Sequence, residues 1–216
     1  MITYSHALGV RDLPFSEIQS YFPWHCPFLN DANAGAFAEG IGSDLPSSFF
    51  YLSLSNTVGG AIFHDGNLLP GDAFRCGEAG HMTLIPDGKP CYCGKTGCVD
   101  AYCSARLLSD LSGGRLEDFF LGLQQNNPDY RSVWDTYLKH LAVVINNLHM
   151  ILDYDIVLGG YVGSFLSPWL DTIRRLVAEH NTFEDDGSFV KLCTYQTGAA
   201  AYGAAMDVME EFLRTV

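Results

Sequence analysis

GEAGHMTLIPDGKPCYCGKTGCVD, residues Gly77 to Asp100, is the stretch from which the rest of this chain can be read. It holds His81, Cys91, Cys93 and Cys98 in one short segment. One imidazole and three thiolates form a full tetrahedral set for zinc, with no position left for a reactive water. A closed site of that kind organises a loop. Gly94 and Gly97 fall between the thiols, where the backbone has to turn sharply to bring the ligands onto one centre. The competing reading is a group of thiols without a metal, and core packing gives no reason for their spacing. A disulfide framework is disfavoured by the odd count of 7 cysteines and by a beginning that has no signal-peptide pattern. Cys26, Cys76, Cys103 and Cys193 have no ligand spacing and are expected as small apolar core residues. Glu78 lies three residues before His81, so a loop fixed by the metal would carry a carboxylate with it.

The chain has 216 residues, of which 48% are hydrophobic, enough for one large domain or two small lobes. No uninterrupted apolar run is long enough to cross a bilayer. The 25 acidic and 12 basic side chains leave a net charge of -13, which would repel phosphate backbones and argues against nucleic-acid binding. Free thiols, a zinc loop and no export signal point to a reducing, cytoplasmic setting.

Local patterns predict strands alternating with helices. Phe28 and Leu29 read as the end of a strand. Asn30 or Asp31 then caps a helix through Ala34 to Glu39, which stops at Gly40. Phe49 to Ser55 reads as a buried strand, Asn56 to Gly60 as a turn, and Ala61 to Phe63 as the next strand. His64-Asp65-Gly66 supplies a hairpin connection. A helix is expected from about Val99 to Leu108. The clearest helix runs from about Tyr130 to Leu152, where Trp134, Leu138, Leu141, Ile145, Leu148 and Leu152 share one face. Asp155 to Leu158 is β-prone and delivers Gly159-Gly160 to a loop. Ser167-Pro168 opens a further helix, Phe189 to Thr194 is a last strand, and Gly198 to Leu213 a last helix. The sum is an α/β fold, a sheet covered by helices.

These segments resemble the ROK family of bacterial sugar kinases and sugar-responsive transcriptional repressors. The signature Gly-Glu-x-Gly-His followed by Cys-x-Cys-Gly-x-x-Gly-Cys-x-Glu is matched by Gly77 to His81 and by Cys91 to Asp100. Leu29 to Asn33 is similar to the family's Glu-Asn-Asp-Ala-Asn run, and the strand ending in Gly159-Gly160 to its adenosine segment. The resemblance implies an actin-like ATPase, ribonuclease H-like fold. This chain would hold part of the N-terminal lobe (about 1–45) and the C-terminal lobe (about 46–216). No Asp-x-Gly-Gly-Thr phosphate loop precedes Asn30, so a C-terminal portion of a longer protein or a shortened member is expected.

The resemblance also implies roles. Asp31 would accept the proton of a sugar hydroxyl attacking a γ-phosphate, with Asn30, Glu78, His81 and Asp100 on neighbouring hydroxyls. Read from the residues alone, Asn30 and Asp31 are helix caps, and Glu78 a solvated loop carboxylate. Asp100 departs from the family's glutamate and is one methylene shorter. Ser55-Asn56-Thr57 stands where kinases of this family have Gly-Thr-Gly, and side chains there restrict the approach of backbone N–H groups to phosphate. Asn56, Thr57, Gly159 and Gly160 would be the nucleotide contacts, with Tyr161 in place of a third glycine. These departures weigh against ATP and magnesium binding. The reading that follows is a dimeric, non-catalytic, sugar-binding effector domain of a transcriptional regulator. An ATP-dependent sugar kinase is the alternative, and a zinc-stabilised scaffold is a third class.

Overall fold

The computed structural model describes residues 2–5, 9–24 and 26–215. Its elements are β1 (Ile2–Ser5), β2 (Val10–Leu13), α1 (Phe15–Gln19), α2 (Asp31–Gly42), β3 (Phe49–Leu54), β4 (Val58–His64), β5 (Asn67–Leu68), α3 (Asp100–Cys103), α4 (Ala105–Ser109), α5 (Leu116–Gln124), α6 (Pro128–Leu152), β6 (Asp155–Gly159), α7 (Gly160–Gly163), α8 (Leu170–Ala178), β7 (Val190–Leu192) and α9 (Ala199–Leu213). β1 and β2 form a separate antiparallel hairpin. The main sheet has the order β5-β4-β3-β6-β7. In it β3 pairs antiparallel with β4 and parallel with β6, and β6 pairs parallel with β7.

Side chains alternate across a strand, and β3 uses both faces. Phe50, Leu52 and Leu54 enter a core with Trp134, Leu138 and Leu141 of α6, Phe119 and Phe120 of α5 and Ile173 of α8. Phe49 and Tyr51 enter a second core with Ala36 and Phe37 of α2 and Ala199 of α9. Burial on both faces is why the strand reads as a continuous apolar run and only weakly as an alternating one. Glu39, fully buried on α2, accepts the backbone N–H groups of Thr194 (2.7 Å) and Tyr195 (3.0 Å), which fixes α2 to the approach of α9. Glu39→Ala leaves both donors unpaired and is expected to lower stability by about 3 kcal/mol, read as a lower denaturant midpoint at unchanged slope.

Several boundaries differ from those read in the sequence. Phe28 and Leu29 are irregular and belong to no strand. α2 runs past Gly40 to Gly42, because Gly40 lies against the Phe63 ring and serves packing, not termination. β4 begins at Val58, so Gly59 and Gly60 are strand residues. The single helix expected from Val99 to Leu108 is two, broken at Ser104, which is extended while Ala105 N–H is donated to the Ser55 carbonyl (2.8 Å). Cys103 and Cys193 are buried as expected, whereas Cys26 and Cys76 are only half-buried. The face of α6 marked by Trp134 to Leu148 is spent on the core. Among the described residues, no helix is long and apolar enough to cross a membrane.

Candidate metal centre and ligand groove

The segment after β5 folds back on itself through isolated bridges between Thr83 and Cys98 and between Pro90 and Thr96. Gly94 (φ +86°) and Gly97 (φ +78°) take the left-handed turns that this requires. The result brings one ligand atom each from His81, Cys91, Cys93 and Cys98 within 4.8 Å of one another. Zinc–sulfur bonds at tetrahedral angles place two sulfurs about 3.8 Å apart. Cys93 Sγ and Cys98 Sγ lie 3.8 Å apart, and all seven cysteines are free. His81 Nδ1 is buried without a hydrogen-bond partner, which a metal ligand should be and a core imidazole should not. Burial pushes the Cys91 thiol up to about 12 and raises Cys98 as well, whereas at Cys93 desolvation is outweighed by hydrogen bonds from the Lys95 N–H and the other two thiols, which lower it, so thiolates at Cys91 and Cys98 call for a cation beside them. The donor set fits a tetrahedral zinc ion. Its four protein ligands would give the ion a structural role, holding the loop and with it Glu78.

The short turn Ala79–His81 is seated against the start of β4. A Cβ on Gly80 would overlap the Val58 carbonyl, and one on Gly60 would meet the Gly77 carbonyl at 2.6 Å. The glycines of the signature therefore serve close contact between two backbones. On the other side of the same strand start, Gly59 faces Ala32, its would-be Cβ 3.4 Å from the Ala32 methyl. Asn30 caps α2 through the N–H groups of Ala32 and Asn33, and Asp31 Oδ1 accepts from Ala32 (2.9 Å). Both side chains are exposed at the helix start. Thus Val58-Gly59-Gly60 is the meeting point of the Asn30-Asp31 element and the Glu78-His81 element.

Asp100 is buried, and its Oδ1 accepts the Val58 N–H at 2.6 Å. Burial raises its carboxyl, with the Val58 N–H and His81 acting in the opposite direction. One of its oxygens thus positions the strand, and the residue also lines a groove. That groove, about 710 Å³, runs between Tyr92, Asp100, Asn56, Thr57 and Ser109. A second cleft of about 280 Å³ shares Asn56 and Ser109 with it and extends to Tyr161 and Thr197. Asn56 therefore lies between Asp100 and Tyr161. The Tyr161 ring, 46% exposed, walls this cleft and leaves it open. Gly159 and Gly160 have packing reasons of their own. A Cβ on Gly159 would overlap the Tyr51 ring, and Gly160 (φ +75°) lies against Leu54 and Ser55.

Sequence reasoning missed Tyr92, Ser109 and Thr197 in this groove. Tyr92 sits between two ligands of one ion, which could have marked it. Ser109 and Thr197 lie far apart in the chain and gave no signal.

A mixed sheet with helices on both faces, a Cys3His loop and a groove at the ends of the central strands together define a lobe of an actin-like ATPase fold. The chain belongs to the ROK family, whose model matches residues 1–211. It is 30% identical over 188 residues to the N-acetylmannosamine kinase of Salmonella typhi, covering 82% of this chain and 62% of that enzyme. It is 29% identical over 237 aligned positions to the glucokinase of Halalkalibacterium halodurans, covering 94% of this chain and 70% of the relative. The ROK family glucokinase from Streptomyces griseus, solved with glucose and AMPPNP, superposes with a TM-score of 0.77 at 20% identity, over 95% of this chain and 75% of that one. A ROK family transcriptional regulator, a homologue of the E. coli MLC protein, gives a TM-score of 0.66 at 22% identity, over 82% of this chain and 50% of that one. The chain thus spans less than two thirds of the Salmonella typhi enzyme's length. Relatives that are mostly kinases favour the kinase alternative over the regulator drawn first from the sequence.

Proposed function

We propose that this chain is the sugar-binding portion of an ATP-dependent kinase acting on a hexose or an N-acetylhexosamine. The observation that carries the reading is the order of residues along two adjoining clefts: Asp100 with Cys91 and Tyr92 of the metal loop, then Asn56 and Thr57, then Tyr161. Glu78, His81 and Asn30 would hold hydroxyls of the sugar. Asp31 would accept the proton of the attacking hydroxyl as the sugar oxygen bonds to the γ-phosphorus and the bond to ADP breaks. Zinc, where bound, keeps Glu78 and His81 in register. Asn56 and Thr57 can donate to phosphate oxygens through side chains in place of glycine backbone. Residues about 1–45 are assigned to the first lobe and 46–216 to the second. Homodimerisation in a cytoplasmic setting belongs to the same proposal.

The test is a calorimetric titration of D-glucose, N-acetyl-D-mannosamine and N-acetyl-D-glucosamine into this chain, followed by an assay with magnesium ATP. Binding of at least one sugar is expected, and binding of none would end the reading. Asp31→Asn should leave sugar affinity within about threefold and slow phosphoryl transfer by about 10²–10⁴-fold, the usual worth of a positioned base. A variant as fast as the parent would remove Asp31 from that role. A sugar-binding regulator domain is the second reading, favoured by the side chains of Ser55 and Thr57 at the phosphate turn. Tight sugar binding with no turnover at any ATP concentration would select it.

A further inference from the structure

The outward nitrogen of His81 is already engaged by the chain itself. Tyr92 lies between Cys91 and Cys93, so its backbone is held wherever those two ligands are held. Its side chain reaches back over the imidazole, with the ring centroids 5.4 Å apart at an interplanar angle of 63°. The phenol oxygen is 3.3 Å from His81 Nε2. His81 Nδ1 is the buried, partnerless nitrogen and so the one left for a metal ion. A neutral imidazole that ligates through Nδ1 carries its proton on Nε2, so Nε2–H donates to the Tyr92 oxygen. The phenol keeps its own proton for an acceptor.

A sugar hydroxyl at the same place would accept from Nε2–H and donate to a carboxylate. The phenol oxygen fills the accepting half of that role. Tyr92 is also movable: it is 41% exposed, and its hydroxyl can leave by rotation about the side-chain bonds with Cys91 and Cys93 undisturbed. It lines the groove together with Asn56 and Thr57, so rotation has open space to enter.

We propose that Tyr92 is a built-in surrogate for a sugar hydroxyl, occupying His81 until carbohydrate displaces it and so setting the affinity and selectivity of the site. The proposal rests on the sugar-site reading above. It predicts that the site prefers sugars with a hydroxyl able to replace the phenol's contact with His81. A sugar lacking the matching hydroxyl cannot displace it.

The test compares the parent chain, Tyr92→Phe and Tyr92→Ala in titrations with N-acetyl-D-mannosamine and D-glucose, with zinc content measured on each. Tyr92→Phe keeps the ring and removes the competing oxygen. It should tighten sugar binding by about threefold to tenfold, the worth of one neutral hydrogen bond, at unchanged zinc content. Tyr92→Ala should bind at least as tightly as the parent. If Tyr92→Phe binds equally or more weakly while the parent binds, the surrogate is wrong and the sugar site stands. A marked loss of binding in Tyr92→Ala alone would show the ring to be a stacking platform, which also overturns the proposal. If neither parent nor variants bind either sugar, both readings fall together. Independently of any variant, ring-labelled tyrosine in the parent should show one resonance shifting toward its solvent-exposed position as sugar is added. An unmoved spectrum at saturating sugar would contradict displacement.

Discussion

Cys93→Ser should empty the metal centre, open the loop from Pro86 to Val99 to protease and take sugar binding with it. Apart from the metal, the loop is held by short backbone hydrogen bonds, such as Gly97 N–H to the Lys89 carbonyl (2.8 Å) and Cys91 N–H to the Lys95 carbonyl (2.8 Å). Its regular pairing is limited to the two isolated bridges, and its tie to the rest of the lobe includes the Lys89 N–H donated to the Tyr102 hydroxyl at 2.6 Å. Structural zinc contributes on the order of 10 kcal/mol in small domains that depend on it. Losing a whole ligand should lower metal affinity by more than about 100-fold, since even a partner behind a ligand is worth about 10–100-fold. Once the loop opens, Gly77 and Gly80 are no longer pressed against Gly60 and Val58, and Glu78 and His81 lose their fixed positions. The sheet and its two cores do not use the loop's thiols, so the main unfolding transition and the far-ultraviolet spectrum should persist. Cys26→Ser, outside the ligand set, should keep full zinc content. Stoichiometric zinc in Cys93→Ser, or sugar binding that survives chelation, would remove the metal from its organising role.

Gly203→Val is expected to be the most damaging change far from the metal. Gly203 of α9 packs directly on the α2 backbone, and any Cβ there would overlap the Ala34 carbonyl oxygen. Backbone in the middle of a helix cannot step aside as a side chain can, so the two helices must separate. Separation loosens the second core, where Ala36 and Phe37 meet Phe49, Tyr51 and Ala199. Overpacking of this kind costs about 3 kcal/mol or more. For a chain of this length that is a fall in melting temperature of roughly 6–12 °C. The displacement also moves α2, whose first residues are Asn30's cap and Asp31, so sugar affinity should fall along with stability. Ala205→Val, at an exposed position of the same helix, should change stability by less than about 1 kcal/mol. Equal melting temperatures for the two variants would mean that α2 and α9 are not packed as described.

Elements whose signals lie within a few neighbouring residues were legible. The Asp65-Gly66 hairpin is one: both residues have positive φ, as a two-residue turn requires. α6 is another, starting at Pro128 behind its Asn127 cap and running to Leu152. The sequence misled where a residue had two possible uses. Gly40 reads as a helix stop and is a packing notch against Phe63. Gly59 and Gly60 read as a turn and are strand, because the Ala32 methyl and the Gly77 backbone pack closely on them. The β1–β2 hairpin and α5 were not anticipated at all, since short or weakly patterned segments take their structure from what they pack on.

Four donor atoms on one local segment carry their own geometry, and for that reason the metal set, the alternating elements and the family were readable from the order of residues alone. Residues 56, 100, 109 and 161 could be brought to two adjoining clefts, and the Asn30 and Glu78 elements to the start of β4, only by the pairing of β3 with β4 and β6 and by the packing of α2 across them. Strand register and helix contact depend on surfaces tens of residues apart, and no local spacing encodes which of those surfaces will meet. The same holds for Tyr92: its place between two cysteines is sequence, but the imidazole beneath its hydroxyl is tertiary structure.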